Sequence, residues 1–142
     1  MNTINWLAVL VAGISAFAIG GIWYSPGLFG KAWMSENNLN EEEIKKSNKG
    51  KIFGFTFVFS VLMAVNLAMY LADSPANCPV DCGQKTDITW GITAGFLAGI
   101  WTFCAIAIHS LFELKSWRLI FINGGYSLVS LMLMGAIIGA WR

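Results

Sequence analysis

Charged side chains are scarce in this sequence and are missing from long stretches of it. Asp, Glu, Lys and Arg make up 12% of the 142 residues, whereas soluble domains carry about 25%. Residues 1–30, 52–72, 88–112 and 119–141 contain none of the four. Since a soluble helical bundle needs a charged outer face on each helix, this scarcity argues against one.

Each uncharged run is long enough to cross a bilayer, because about 20 apolar residues span the hydrocarbon core as a helix. The sequence therefore predicts an all-α membrane protein, with one transmembrane domain over residues 1–142. The four predicted helices cover residues 4–24, 52–72, 88–112 and 118–141. The first run lacks the basic start of a cleaved signal peptide, so we expect it to remain in place.

Motifs for catalysis and for cofactor binding are also missing. His109 has no second His to share a metal ion, and the chain lacks a Gly-x-Ser-x-Gly sequence and a phosphate-binding loop. We therefore expect neither an enzyme nor a bound cofactor. The formal net charge of +1 argues against a nucleic-acid partner.

Two of the three cysteines, Cys78 and Cys82, lie between the second and third predicted helices. Their spacing permits a local disulfide in an oxidising compartment, with free thiols or a bond between subunits as alternatives. A CxxxC pair without further Cys or His is a poor zinc site, so no metal is expected. Cys104 is expected to pack as a small residue inside the third helix.

Basic residues are distributed unequally between the two ends of the predicted helices. Loop 25–51, together with Lys115 and Arg118, carries seven of them, whereas loop 73–87 and the C-terminus carry two. Because basic loops stay in the cytoplasm, we expect loop 25–51 inside, loop 73–87 outside and both termini outside. The expected location is the bacterial cytoplasmic membrane.

Two segments of the chain resemble each other. "GISAFAIGGIW" (13–23) and "GITAGFLAGIW" (91–101) share six of eleven residues, and "LFGKAW" (28–33) resembles "LFELKSW" (111–117). We interpret this as a parallel duplication of a two-helix unit about an axis along the membrane normal. Chance similarity between membrane helices is the alternative.

Small residues recur at four-residue spacing. Such spacing keeps them on one helix face, where they allow two membrane helices to approach closely. The predicted packing glycines are Gly91, Gly95 and Gly99 in the third helix and Gly135 and Gly139 in the fourth. Packing within the chain and packing between copies both stay open, and we expect a homo-oligomer.

Polar side chains at membrane depth form a candidate cluster. His109 and Glu113 share one face near the end of the third helix, and Asn123 lies near the start of the fourth. Tyr24 and Tyr126 are expected at similar depth. Because polar groups are costly in a membrane, this cluster is either a functional site or a hydrogen-bonded lock.

A second polar pair lies in the second helix, where Asn66 and Tyr70 are one turn apart. We interpret this pair as hydrogen bonding between helices. If the protein moves a solute, we expect a path lined by Asn66, His109 and Asn123.

The segment 23–33 is rich in aromatic residues, which prefer the membrane interface. Pro26 disfavours a helical conformation at the residue before it. The first helix therefore either ends here or kinks at Pro26 and continues. Further along this loop, Asn40 and Glu43 have the spacing of a capping box, and Gly50 is positioned to end the short helix that follows.

On "WYSPGLFGKAW" (23–33), "HSLFE" (109–113) and "INGGYSLVSLMLMGAIIGAW" (122–141), the chain resembles the uncharacterised membrane proteins called domain of unknown function 1761. The resemblance covers nearly the whole chain and implies a small four-helix integral membrane protein. It implies no activity, substrate or catalytic residue.

The predicted function is a self-associating membrane protein that binds or transports a small solute within the lipid bilayer. The alternative is a non-transporting scaffold or accessory subunit that packs against another membrane protein. A continuous polar path would favour the first, and a dry interior beside an exposed groove would favour the second.

Overall fold

The computed structural model describes residues 4–71 and 86–141, which are helical with short connections and contain no strand. The six helices are α1 (Trp6–Trp23), α2 (Gly30–Glu36), α3 (Glu41–Lys46), α4 (Lys49–Leu71), α5 (Ile88–Phe112) and α6 (Trp117–Ala140). Four of them, α1, α4, α5 and α6, are long and apolar enough to cross a membrane. The predicted all-α class with four spanning helices is confirmed.

Polar side chains define where several helices begin. The side chains of Asn5, Asp87 and Ser116 accept hydrogen bonds from backbone N–H groups in the first turns of α1, α5 and α6. These N–H groups have no partner within the helix, so a capping side chain stabilises the start. In α3, Asn40 and Glu43 form the predicted capping box, but the helix ends at Lys46 and Gly50 lies in the first turn of α4.

Helix α1 ends before Pro26 instead of kinking and continuing. The chain turns immediately, since the N–H groups of Leu28 and Gly30 donate to the carbonyl oxygen of Ser25 at 3.1 and 2.9 Å. A side chain at Gly30 would collide with the carbonyl oxygens of Tyr24 and Ser25. The chain therefore passes so close to these two carbonyl oxygens that position 30 requires glycine.

The four long helices differ in how closely they contact one another. Helix α6 packs along α5 and also contacts α1, while α4 packs on α1 and meets α5 and α6 only sparsely. The central hydrophobic core is built from small and aliphatic residues of all four helices. Its buried members are Val9, Ala12, Ala16, Ala64, Leu67, Ala68, Leu71, Ala94, Leu131, Met134 and Ile138.

Backbone contact joins α5 to α6 over several turns, and we call this contact the glycine seam. A Cβ atom added to Gly91 would overlap the carbonyl oxygen of Gly135, and one added to Gly95 would overlap that of Leu131. A Cβ at Gly99 would lie 2.6 Å from Leu128 Cδ1. The predicted packing glycines of α5 are therefore used within this chain.

Gly139 of α6 completes the seam, because a Cβ on Gly139 would overlap the carbonyl oxygen of Asp87.

The structure describes one of the three cysteines. Cys78 and Cys82 lie outside the described residues, so their disulfide stays a prediction. Cys104 lies in α5 as predicted but is exposed, so within the described residues it does not act as the expected small packing residue.

Candidate functional site

The turn that follows α1 is held against α6 by two side-chain hydrogen bonds. The indole Nε1 of Trp23 donates to the carbonyl oxygen of Ile122 at 2.9 Å. The hydroxyl of Tyr24 donates to Oδ1 of Asn123 at 2.8 Å. Both aromatic rings thereby place their polar atom on α6 and their apolar part between the helices.

Tyr126 extends this contact towards the interior. Its hydroxyl donates to the carbonyl oxygen of Ala16 at 3.1 Å, and its ring centre lies 5.4 Å from that of Tyr24. Gly20 leaves room for it, since a Cβ there would lie 3.2 Å from the Tyr126 hydroxyl. We call the group formed by Trp23, Tyr24, Asn123 and Tyr126 the aromatic elbow.

Tyr24 lies one residue beyond α1 and is half-buried. Its burial first, and then the neighbouring Tyr126, raise the pKa of the Tyr24 phenol above its ordinary value. A tyrosine hydroxyl already keeps its proton at neutral pH, and the raised pKa preserves it as a donor to Asn123 into more alkaline solution. Trp33 adds an edge contact, with ring centres 5.9 Å apart.

His109 and Glu113 do not join Tyr24, Asn123 and Tyr126. Both are exposed, and within residues 4–71 and 86–141 no hydrogen bond connects either side chain to the elbow. Asn123 instead accepts the hydrogen bond of Tyr24, and no hydrogen bond joins it to His109. This corrects the proposed cluster. The adjacent Ser110 is buried, which leaves His109 on the outer surface near the end of α5.

Glu36 is a polar contact that the sequence analysis missed. At the end of α2, its carboxylate accepts a hydrogen bond from the Ser116 hydroxyl and lies 3.8 Å from Nη1 of Arg118. These contacts attach α2 to the start of α6. Glu36 and Arg118 are far apart in the chain and form no local sequence pattern. Their opposite charges were the only indication in the sequence that they pair.

A cavity of about 440 Å³ lies between α4 and α5. We call it the α4–α5 groove. Eight residues line it: Met63, Asn66, Leu67 and Tyr70 from α4, and Ala94, Leu97, Ala98 and Trp101 from α5. Ala94 is buried, whereas Trp101 is 84% exposed, so the groove opens onto the outer surface.

The groove contains Asn66 and Tyr70, the polar pair expected to bond between helices. Both side chains are exposed, and neither forms a hydrogen bond with another of the described residues. His109 and Asn123 are not among the lining residues. This groove therefore brings Asn66 together with neither His109 nor Asn123, and a path lined by all three stays a prediction.

A family model described as "Protein of unknown function (DUF1761)" matches residues 7–139. The chain belongs to this family. The match spans all four long helices of the DUF1761 protein, which agrees with its membrane character. Comparisons with curated proteins and with solved structures find no match.

The structure explains what some of the residues behind the resemblance do. Segment 23–33 supplies Trp23, Tyr24 and the tight turn, and segment 122–141 begins with the backbone and side chains that accept their hydrogen bonds. These two parts of the DUF1761 protein form one joint between α1 and α6. Among the described residues, no group of three His, Cys, Asp or Glu side chains is placed to hold a metal ion.

Proposed function

We propose that this DUF1761 protein is a non-transporting scaffold or accessory subunit that holds a hydrophobic partner protein in its α4–α5 groove. The observation that carries the proposal is the contrast between a lateral, open groove and a packed apolar centre. The partner would enter from within the bilayer, not from the aqueous phase.

The interior offers little to a polar solute. The core residues of the four long helices are apolar, and the buried polar side chains of the described ranges are Ser60, Ser110 and Ser130. A transport path needs polar groups in succession to replace the hydration of the solute. Three serines on three different helices support such a path poorly, and the elbow hydroxyls already donate to protein acceptors.

The groove has the shape that helix association in lipid requires. Apolar lipid gives no hydrophobic gain to association, so membrane helices associate by close van der Waals packing and by polar contacts. The buried Ala94 forms a low floor, and the large side chains of Leu97 and Trp101 project beside it. The side chains of a partner helix would fit into the space above Ala94, beside these larger side chains.

Photo-crosslinking in native membranes tests the proposal. A benzophenone side chain is placed at Leu97, which is 55% exposed in the groove, or at Ile100, which is 42% exposed and does not line the groove. We expect a discrete protein adduct from Leu97 and lipid adducts from Ile100. Ala98→Leu should fill the groove and remove the Leu97 adduct, whereas Ala105→Leu should not. Lipid adducts alone at both positions would overturn the proposal.

Solvent access to the core tests the transport alternative. In a variant without native cysteines, Ala64→Cys places a thiol at a site that is 0% exposed. We expect no reaction with a water-soluble maleimide in folded protein and full reaction after denaturation. Rapid labelling of the folded protein would indicate an aqueous path and favour the transporter.

We also propose the orientation with both termini outside, which places the Asn66 end of the groove in the outer leaflet. An impermeant thiol reagent should label Cys78 and Cys82 in intact cells after reduction. It should miss Asn48→Cys, which precedes α4. The reverse labelling pattern would invert the orientation without affecting the groove.

A further inference from the structure

We infer that the occupant of the α4–α5 groove is a second copy of this chain, and that Asn66 of each copy hydrogen-bonds Asn66 of the other. This inference rests on the proposed function, because it names the partner that the groove binds. The evidence for this inference is the position of the Asn66 side chain in the groove.

Asn66 is a polar group at membrane depth without a partner among the described residues. It lies five residues before the end of α4, so it is about 7.5 Å inside that end at 1.5 Å per residue. Thr56 of the same helix satisfies its hydroxyl by donating to the carbonyl oxygen of Ile52 at 2.7 Å. An asparagine side chain cannot be satisfied this simply, since its amide has two N–H donors and an acceptor oxygen.

Lipid is a poor partner for this amide. The hydrogen-bonding groups of a phospholipid lie at or beyond the ends of the spanning helices, and its acyl chains have none. Among the groove walls, Met63, Leu67, Ala94 and Ala98 lack side-chain donors and acceptors. Tyr70 and Trp101 carry a hydroxyl and an indole N–H, but neither forms a hydrogen bond with Asn66. An occupant that brings its own polar group to the depth of Asn66 would supply the partner that the described residues do not give this amide.

A second copy meets this requirement by symmetry. Two copies inserted in the same direction can be related by a two-fold axis along the membrane normal. Such an axis places the same residue of each copy at the same depth and allows the two to meet. An amide both donates and accepts, so two Asn66 side chains are complementary to each other. Each α4 would then lie against the groove of the other copy, and each Asn66 would gain the partner that the described residues of its own chain do not provide.

Disulfide trapping tests the arrangement with two neighbouring residues. In a variant whose native cysteines are replaced by Ala, Tyr70→Cys places a thiol in the groove, and Met69→Cys places one outside it. Their exposures are similar, at 62% and 58%. Oxidation in native membranes should yield a dimer of Tyr70→Cys and little of Met69→Cys. Equal yields, or no dimer from either, would overturn the inference.

The amide is tested by a second change in the Tyr70→Cys background. Asn66→Leu should lower the dimer yield about threefold to tenfold, the range expected for one hydrogen bond between membrane helices. Asn66→Gln should restore most of the yield. Circular dichroism should show unchanged helix content in both, since the side chain is exposed in the single chain. A yield insensitive to Asn66→Leu would overturn the role of the amide.

The mass of the Leu97 photo-adduct separates this inference from the proposed function. An adduct of twice the chain mass supports both. A discrete adduct with a different protein overturns the second copy as occupant and leaves the accessory role standing. Lipid adducts alone overturn both.

Discussion

Helix α5 meets its two neighbours in opposite ways. Against α6 it forms the glycine seam, in which Gly91 and Gly95 contact backbone carbonyl groups directly. Towards α4 it presents Ala94 and Ala98 to a cavity of about 440 Å³. Both faces carry small residues at four-residue spacing, yet one contacts the backbone of α6 directly and the other borders a cavity. Small-residue spacing therefore identifies a surface suited to close approach without identifying what approaches it.

The largest expected effect of a substitution lies in the seam. Gly95→Leu should lower the stability of the folded protein by about 3 kcal/mol or more, because the new side chain must displace the backbone of α6. Thermal unfolding in detergent measures this loss. Gly54→Leu is the matched control, since no atom lies within 4 Å of a Cβ added at Gly54.

Leu97→Ala provides the comparison on the groove side of α5. The Leu97 side chain is largely exposed, so its truncation should change the unfolding midpoint far less than Gly95→Leu does. Equal sensitivity at the two positions would contradict the contrast between a filled and an open face.

A smaller effect is expected at the aromatic elbow, which joins α6 to the turn that follows α1. Tyr24→Phe removes the hydrogen bond to Asn123 and should cost about 1 kcal/mol of unfolding free energy. Tyr70→Phe serves as the control, because the Tyr70 hydroxyl has no partner among the described residues. A double-mutant cycle of Tyr24→Phe with Asn123→Leu should show coupling between the two sites, and strict additivity would argue against the bond.

His109 should show the smallest effect. Since the ring is exposed and separate from the elbow, His109→Gln should change stability by less than about 0.5 kcal/mol at any pH from 5 to 8. Unfolding measured across that range provides the test. If the stability lost on His109→Gln changed with pH, the native imidazole ring would have a polar partner. That result would favour the predicted cluster of five residues that includes His109.

The repeat supplies a further contrast between the two regions. Trp23 and Trp101 are equivalent in the two similar segments, but Trp23 bonds to α6 and Trp101 is exposed at the groove. The duplication stays a prediction. If the duplication occurred, the two tryptophans have since diverged, with Trp23 in the elbow and Trp101 at the groove.

Features that depend on one stretch of chain were predictable from the sequence alone. Long uncharged runs determine the four spanning helices, because each must satisfy its backbone hydrogen bonds internally in lipid. The capping box of Asn40 and Glu43 needs only three-residue spacing, and both of its hydrogen bonds form, at 2.8 and 3.0 Å. The glycines of α5 share a face for the same local reason.

Tertiary structure alone decided what lies opposite each face. Helical spacing places His109 and Glu113 together but leaves open whether they face α6 or the lipid, and one residue of rotation separates the buried Ser110 from the exposed His109. Likewise, Asn66 was visible as a polar residue, but its position beside a groove depends on the separation of α4 from α5. Periodicity along one helix determines which residues share a face, and the packing of the other helices determines which face is covered.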